Sequence, residues 1–217
     1  MSYFVPSGYL LCALGSVRAL ERPTRSGVGP TDAALVLSAR AGEPWAQEAL
    51  FRRHAPMVNG LAYRLMGRDS DVDDIVQEAF VQAFQGLHRL QDPQSFAKWL
   101  GSVVVHVASR VLRRRKLLTR LGLRRNEPVD VDATAARTAS PEVAAELRRV
   151  YEHLERMPVE LRVALVLRKV EGMALDEVAA ALGVSLATAK RRIGAAEDKL
   201  TSMLAGALVG RRGSGER

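Results

Sequence analysis

Apolar residues recur at intervals of three and four along most of the chain between residues 31 and 204. The clearest stripe runs from Val72 to Leu87, and a second runs from Phe96 to Leu112. Such intervals indicate amphipathic helices, and no segment shows the strict alternation that a half-buried strand needs. The pattern therefore predicts an all-α protein.

Local signals predict where several of these helices begin and end. Thr31 and Ser95 are candidate N-caps, because a side-chain hydroxyl can accept a hydrogen bond from an amide of the first turn. Pro44 suits the first position of a helix, where its missing N–H is not needed. Pro56 is expected to break or kink the helix that follows. The long helix after Ser95 is expected to end near Lys116.

The helical pattern falls into two stretches, which predicts two small helical domains over residues 31–116 and 141–204. Residues 117–140 lose the periodicity and contain glycine and proline, so we expect a flexible linker there. Residues 1–30 are predicted to be an N-terminal extension that is disordered or lies upstream of the true start. Residues 205–217 are predicted to form a disordered tail.

The chain carries a formal net charge of +8 over 217 residues, which favours a polyanionic partner such as nucleic acid. Its single cysteine, Cys12, cannot form an internal disulfide, and no Cys/His spacing indicates a metal site, so we expect no cofactor. The chain also lacks the run of about 18 apolar residues that a membrane-spanning helix requires. Stable membrane insertion is therefore not expected.

The most specific local pattern lies in residues 175–200. A short helix with an apolar inner face is followed by Gly183, which can adopt the positive φ of a tight turn between helices. The next helix carries hydroxyl and basic side chains at its start, as does the helix with which a helix-turn-helix reads the major groove. An ordinary helical hairpin with a solvated basic face would show a similar pattern. The side chains concerned are Ser185, Thr188, Lys190, Arg191 and Arg192.

Two motif sets stand in different halves of the chain. The run DDIVQEAF occupies residues 73–80, and FAKWL at residues 96–100 precedes a basic run at residues 113–116. The second set occupies residues 157–190, from a Met-Pro pair to the helix-turn-helix pattern. In composition, order and separation, the two sets resemble regions 2 and 4 of the extracytoplasmic-function (ECF) sigma factors of bacterial RNA polymerase. The resemblance covers residues 31–204.

The resemblance implies a sigma factor that binds the β′ and β subunits of core RNA polymerase. Such a factor directs transcription initiation at promoters by recognising their −10 and −35 DNA elements. The resemblance also implies a stress or signal response in the cytoplasm, a regulatory anti-sigma factor as partner, and no enzymatic activity.

The resemblance further assigns roles to individual residues. The polar face of the first motif would bind polymerase through Asp73, Asp74, Gln77 and Glu78. The loop over residues 87–95 would capture an extruded base of the −10 element, and the next helix would contact its backbone. The residues concerned are His88, Arg89, Gln91, Asp92, Lys98, Trp99, His106, Arg110, Arg113 and Arg114. The −35 element would be read by Ser185, Thr188, Lys190, Arg191 and Arg192.

Some positions depart from the family pattern. Val105, His106 and Arg110 stand where the family often has an Arg-Asn pair and an aspartate. Ala195 and Glu197 replace cations that are usual in the reading helix. These departures leave the promoter sequence and the −35 affinity open.

The predicted linker gives a separate expectation about the free protein. A flexible linker of about 24 residues averages about 25–30 Å between its ends. The resemblance implies two promoter elements about two helical turns apart, or about 70 Å on a scale of about 34–36 Å per turn. Because the fully extended linker reaches about 80 Å, it spans the two sites only if it is held stretched. The free protein should therefore bind promoters poorly.

Two other interpretations stay open at this point. A stand-alone helix-turn-helix regulator would explain residues 141–204 but not the motif at residues 73–80. A helical metal enzyme would use Asp74 and Glu78, which lie one turn apart, with His54 as a third ligand. In that case the carboxylates would have to face inward, whereas here they oppose the apolar stripe.

Overall fold

A computed structural model describes residues 29–67, 71–123 and 150–212 of the chain. Within these ranges the fold is all-α, as the sequence predicts, and contains no strand. The helices are α1 (Asp32–Arg40), α2 (Pro44–Met66), α3 (Val72–Gly86), α4 (Phe96–Arg120), α5 (150–156), α6 (Val159–Leu165), α7 (Leu175–Leu182) and α8 (Leu186–Arg212), with 3-10 turns at Leu87–Arg89 and Pro93–Ser95 and a π-helical turn at Val166–Val170.

Two predicted helix starts are confirmed. The Thr31 hydroxyl accepts a hydrogen bond from the Ala34 amide at 3.3 Å, and Pro44 occupies the first turn of α2. The break expected at Pro56 does not occur, since α2 continues through this residue to Met66. Helices α1, α3 and α4 all pack along α2, and this packing offsets the backbone hydrogen bond that proline cannot make.

The start of α4 differs from the prediction. The Ser95 hydroxyl does not cap the helix but donates to Asp92 Oδ2 at 2.7 Å, while the Gln94 amide donates to Asp92 Oδ1 at 3.0 Å. Asp92 therefore caps the 3-10 turn that precedes α4. At its other end α4 reaches Arg120, one turn beyond the expected end at Lys116, because the added residues include good helix formers.

The last helix also exceeds its predicted length. Helix α8 continues to Arg212, so residues 205–212 are helical where the sequence predicts the beginning of a disordered tail. Alanine and leucine predominate at the start of this segment, and they extend a helix that is already nucleated. The N-terminal extension through residue 28, residues 124–140 of the predicted linker, residues 141–149 at the start of the predicted C-terminal domain, and residues 213–217 lie outside the described residues.

The helices form an N-terminal module, α1–α4, and a C-terminal module, α5–α8. Leu50, Leu65 and Phe96 are completely buried in the first module, as are Leu167 and Val178 in the second. In the N-terminal module α3 packs against both α2 and α4 with its apolar stripe inward. This packing leaves the opposite, polar face of α3 exposed.

The two modules pack against each other, which the sequence did not predict. Helix α7 lies against α4, and α6 contacts α4 as well. Gly67 ends α2 with φ +64°, and a side chain there would overlap the ring of Tyr151 from α5. Glycine is therefore required at this point for two reasons, the left-handed backbone and the close approach of the second module.

Candidate functional site

The first candidate surface is the acidic face of α3, formed by Asp73, Asp74, Gln77 and Glu78. Asp73, Asp74 and Gln77 are exposed, because the inward stripe of α3 places them on its opposite side. Glu78 is half-buried and already engaged. Its Oε1 accepts from Gln82 at 2.6 Å and lies 3.0 Å from Nη2 of Arg110 on α4.

A cavity of about 530 Å³ lies between the end of α3 and the first half of α4, and we call it the α3–α4 cavity. The Trp99 indole forms an apolar wall, while glutamine, arginine, serine and histidine side chains supply polar groups. Gly86 lies beside the indole, and a β-carbon there would make an ordinary van der Waals contact with it at 3.6 Å. The lining residues are Gln82, Gln85, Gly86, Arg89, Trp99, Ser102, Val103 and His106. An aromatic wall beside convergent polar groups suits a flat polar ligand such as a nucleobase.

The residues predicted to bind the −10 element divide into two groups around this cavity. Arg89, Trp99 and His106 line it. His88 and Gln91 are exposed on the loop outside it, and one ring nitrogen of His88 lies 3.1 Å from the Gln85 carbonyl oxygen. The loop is held to α1 by Arg40, which donates to the carbonyls of Leu87 (3.1 Å) and Leu90.

Asp92 has a structural task in the loop. Its hydrogen bond from the Ser95 hydroxyl, and then that from the Gln94 amide, lower the pKa of its carboxyl. The charged form is therefore favoured in the folded loop.

Sequence reasoning missed the cavity residues Gln82, Gln85, Gly86, Ser102 and Val103. Their signal was the polar positions on the facing sides of the two helices, three residues apart on α3 (Gln82 and Gln85) and four apart on α4 (Ser102 and His106).

A row of cations follows one side of α4, and we call Lys98, Arg110, Arg113 and Arg114 the cation row. All four side chains are exposed, as phosphate contacts require. Three of them lie beside carboxylates: Arg110 contacts Glu78, while Lys98 and Arg113 contact carboxylates of the C-terminal module.

Lys116, one turn past the cation row, faces the C-terminal module. Its Nζ donates to the Met157 carbonyl at 2.8 Å. Burial, and then the nearby charge of Lys199, lower the pKa of this lysine. Lys116 is therefore less available to an external phosphate than the exposed members of the row.

The helix-turn-helix pattern is present in the C-terminal module. Gly183 ends α7 with φ +63°, and the Ser185 hydroxyl accepts from the Thr188 amide at 3.3 Å, so both predictions are confirmed. Ala189 and Ile193 turn inward, whereas Leu186 is 53% exposed. The smaller Ala189, rather than Leu186, therefore lies on the inner side of α8.

The front of α8 presents its polar side chains outward. Lys190 and Arg191 are exposed, and Thr188 and Arg192 are half-buried at the edges of this surface. A duplex could reach these side chains together, since they occupy the first two turns of one helix. Further along α8, Glu197 lies 2.7 Å from Lys169.

The structure does not bring together the residues of a metal enzyme. His54 Nε2 lies 2.9 Å from Asp32 Oδ2, and its ring packs edge-on against the buried Phe96, whereas Asp74 is exposed. Among the described residues no group of three His, Cys, Asp or Glu side chains could hold a metal ion. In the same part of the chain, no helix combines the length and apolarity needed to cross a membrane.

Together these features define a class of protein: a two-module, helical DNA-reading factor with a separate acidic face. Comparisons with known families give the same answer. Residues 50–117 match the family Sigma-70 region 2, and residues 147–200 match the family Sigma-70, region 4.

Among curated proteins, the chain is 35% identical to the ECF sigma factor SigM of Mycobacterium tuberculosis over 175 residues, covering 80% of this chain and 85% of SigM. It is 33% identical to SigE of Mycolicibacterium smegmatis over 165 residues, covering 73% of this chain and 61% of SigE. It is 31% identical to the sigma-E factor of Escherichia coli over 177 residues, covering 75% of this chain and 88% of that factor.

Two solved structures are similar to most of this chain. CnrH, solved in complex with the cytosolic domain of CnrY, has 32% identity and a TM-score of 0.56, covering 81% of this chain and 97% of CnrH. RpoE of Bartonella quintana, solved with the anti-sigma factor NepR, has 18% identity and a TM-score of 0.56, covering 73% and 96% of the two chains. The second likeness is one of fold alone.

The chain belongs to the ECF family of RNA polymerase sigma factors. It is a transcription initiation factor that directs polymerase to promoters, and it is not an enzyme. A stand-alone helix-turn-helix regulator is not favoured, because that interpretation leaves the region 2 match at residues 50–117 without a role.

Proposed function

We propose that this sigma factor reads the −10 element with the N-terminal module, residues 31–116, and the −35 element with the C-terminal module, residues 141–204. The observation that carries the proposal is the α3–α4 cavity, walled by Trp99 and flanked by the cation row. The best direct test is transcription in vitro with core RNA polymerase, scored for initiation at defined promoters. A DNA-binding assay without polymerase separates this role from that of an independent regulator.

The −10 proposal places one extruded base in the α3–α4 cavity. Extruding a base costs a few kcal/mol, and stacking on an aromatic side chain returns about 1–3 kcal/mol per base. Trp99 offers the stacking surface, and Gln85, Arg89 and His106 offer hydrogen bonds to the base edge. The cavity thus supplies both the stacking surface and the hydrogen bonds that would stabilise an extruded base.

The surroundings of the cavity have matching tasks in this proposal. The cation row neutralises backbone phosphates, which sets affinity and its salt dependence rather than sequence choice. His88 and Gln91, exposed on the loop, contact nucleotides beside the captured base. Asp92 keeps the loop in shape through its bonds to Gln94 and Ser95.

The −35 element is proposed to be read by the front of α8. Lys190 and Arg191 reach base edges or phosphates in the major groove, and Ser185, Thr188 and Arg192 complete the contact with the backbone.

The acidic face of α3 is proposed to bind the polymerase core, where the family resemblance places a basic coiled coil of the β′ subunit. Asp73, Asp74 and Gln77 are exposed and available for this contact.

The cellular setting is also a proposal. We place the protein in the cytoplasm, where RNA polymerase works, in a stress or signal response under an anti-sigma factor. CnrH, to which the chain is 32% identical, is solved in complex with the cytosolic domain of CnrY, and this similarity supports a protein partner for this chain. Copurification of a promoter-silencing protein with this chain from its own cells would test that part.

Trp99→Ala is expected to lower promoter opening by about tenfold, because it removes a stacking contact of about 1–3 kcal/mol. The measurement is formation of open complexes by the reconstituted holoenzyme, followed with a fluorescent base at the −10 element. Trp45→Ala is the matched control, since Trp45 is the other tryptophan and is 51% exposed on α2. Equal rates for the two variants would place the base elsewhere.

Lys190→Ala combined with Arg191→Ala is expected to weaken −35 binding and to reduce the salt dependence of promoter affinity. Each lost phosphate contact lowers the slope of log K against log salt by about one unit. Titration of a promoter duplex with holoenzyme at several salt concentrations measures both effects. Arg52→Ala, an exposed arginine on α2, is the control, and an unchanged slope in the double variant would contradict the assignment.

A further inference from the structure

We propose that the contact between the modules is autoinhibitory: carboxylates of the C-terminal module occupy cations of the N-terminal module that would otherwise bind −10 DNA. This inference rests on the proposed function and adds a closed state to it. The closed state has to open before the protein can read a promoter.

Two ion pairs connect the C-terminal module to the cation row. Lys98 Nζ lies 3.3 Å from Glu177 Oε1 of α7, and Arg113 Nε lies 3.3 Å from Glu160 Oε1 of α6. A carboxylate at this distance neutralises its cation much as a DNA phosphate would. The pairs therefore compete directly with the proposed backbone contacts.

Glu177 is held in position for its ion pair. Its Oε2 accepts from the Ala174 amide at 3.0 Å, at the start of α7, while Oε1 faces Lys98. The hydrogen bond from the Ala174 amide, and then the contact with Lys98, lower the pKa of the Glu177 carboxyl, so this group stays charged. The carboxylate that covers Lys98 is thus fixed by the fold of the C-terminal module itself.

A second set of contacts, at the end of α2, holds the modules together without touching the DNA-binding residues. Arg64 donates from Nε and Nη2 to the two carboxylate oxygens of Glu171. Arg162 is 3% exposed, and its Nη2 donates to the carbonyls of Leu65 (2.8 Å) and Met66 (2.9 Å). These carbonyls lie at the C-terminal end of α2, where the last turn has no amide donors within the helix and the helix dipole attracts a cation.

The turn of the helix-turn-helix lies close to the α3–α4 cavity in the closed state. A β-carbon at Gly183, in that turn, would lie 3.9 Å from Nε2 of His106, which lines the cavity. The two proposed DNA-binding sites therefore lie near each other, whereas the family resemblance implies promoter elements about two helical turns, or about 70 Å, apart. The closed state cannot read both elements at once.

The strength of the contact suits a reversible device. Removing an exposed ion pair shifts an equilibrium by about two- to fivefold. Because DNA binds only the open form, the observed dissociation constant equals the intrinsic one divided by the open fraction. Neutralising the two carboxylates that cover the cation row should therefore raise the open fraction and tighten DNA binding by about fivefold.

The experiment uses the full chain with Cys12→Ser, and dyes on Ala34→Cys and Ser202→Cys, exposed positions in the two modules. Energy transfer between the dyes reports closure, without polymerase or DNA. The test variant is Glu160→Gln with Glu177→Gln. Its transfer should fall below that of the parent, and its affinity for a mixed-sequence single-stranded oligonucleotide should rise by about fivefold.

The matched control is Glu48→Gln with Glu197→Gln. It makes the same change in net charge, but its carboxylates pair within one module, Glu48 with Arg52 at 2.6 Å and Glu197 with Lys169 at 2.7 Å. The inference is overturned if the parent already shows low transfer, or if test and control variants show equal transfer. It is also overturned if transfer falls in the test variant without a gain in DNA binding over the control.

Failure of this inference is separable from failure of the proposed function. Energy transfer tests the closed state alone, while promoter-specific transcription by the parent with core polymerase tests the sigma activity. A parent that initiates at promoters but shows no closed state would retain the proposed function and lose only the autoinhibitory contact.

Discussion

Replacing Asp73 and Asp74 by lysine is expected to weaken association with core RNA polymerase by about 100-fold, a loss typical of charge pairs at the centre of an interface. Both carboxylates are exposed in the first turn of α3. Reversing their charge would replace attraction by repulsion on the face that we propose binds polymerase. A titration of labelled protein with core polymerase, followed by fluorescence anisotropy, measures the effect.

The control for this substitution is Asp176→Lys. Asp176 is also an exposed carboxylate in the first turn of a helix, α7, so its loss has a comparable effect on the helix N-terminus. The control should bind polymerase nearly as well as the parent, and both variants should remain folded. Unchanged affinity after reversal at Asp73 and Asp74 would show that polymerase binds a different face.

Phe96→Ala is expected to lower the free energy of unfolding by about 3–5 kcal/mol, the usual cost of removing a fully buried phenylalanine. Phe96 is completely buried at the start of α4 and contacts the rings of His54 and Trp99, with centroids 5.2 and 6.2 Å away. Its loss would also free the start of α4 and misplace Trp99 in the α3–α4 cavity. Urea unfolding of the full chain, followed by circular dichroism, measures the change.

Phe51→Ala is the comparison for this prediction. Phe51 is 39% exposed and packs at a tilt against Phe80, with ring centroids 4.7 Å apart. Its removal should cost about 1 kcal/mol, because much of the side chain already contacts water and one aromatic contact is lost. If both variants unfolded at the same urea concentration, Phe96 would not be the anchor of α4.

Features that depend on neighbouring residues could be predicted from the sequence. The caps at Thr31 and Ser185 each need only a hydroxyl three residues before an amide, and the turn at Gly183 needs only a residue without a β-carbon. The all-α fold follows from the interval of the apolar residues. The family resemblance then supplied the function, which composition and periodicity could not.

Features that depend on distant residues could not be predicted in this way. Arg162 bonds to carbonyls 96 and 97 positions earlier, and Arg64 pairs with a residue 107 positions later. An arginine in a helical stripe reads as a surface residue, so its burial between two modules leaves no local signal. The contact between the modules was missed for this reason.

The proposed −10 site shows why a loop is hard to interpret from sequence. The sequence directed attention to the loop over residues 87–95, but a short loop uses many of its polar groups to fold itself, as Asp92 does. The cavity is formed instead between α3 and α4, and the sequence pattern predicts each helix but not how the two pack together. Of the loop, only Arg89 reaches it.

The ion pair between Glu78 and Arg110 joins the two surfaces that we propose bind polymerase and DNA. A carboxylate that turns toward a polymerase cation no longer neutralises the guanidinium behind it, and that guanidinium gains affinity for a phosphate. Polymerase binding through Glu78 and DNA binding through Arg110 would then be thermodynamically linked, so that each strengthens the other to the same extent. DNA held by Arg110 would leave Glu78 free and so favour retention of polymerase at the promoter.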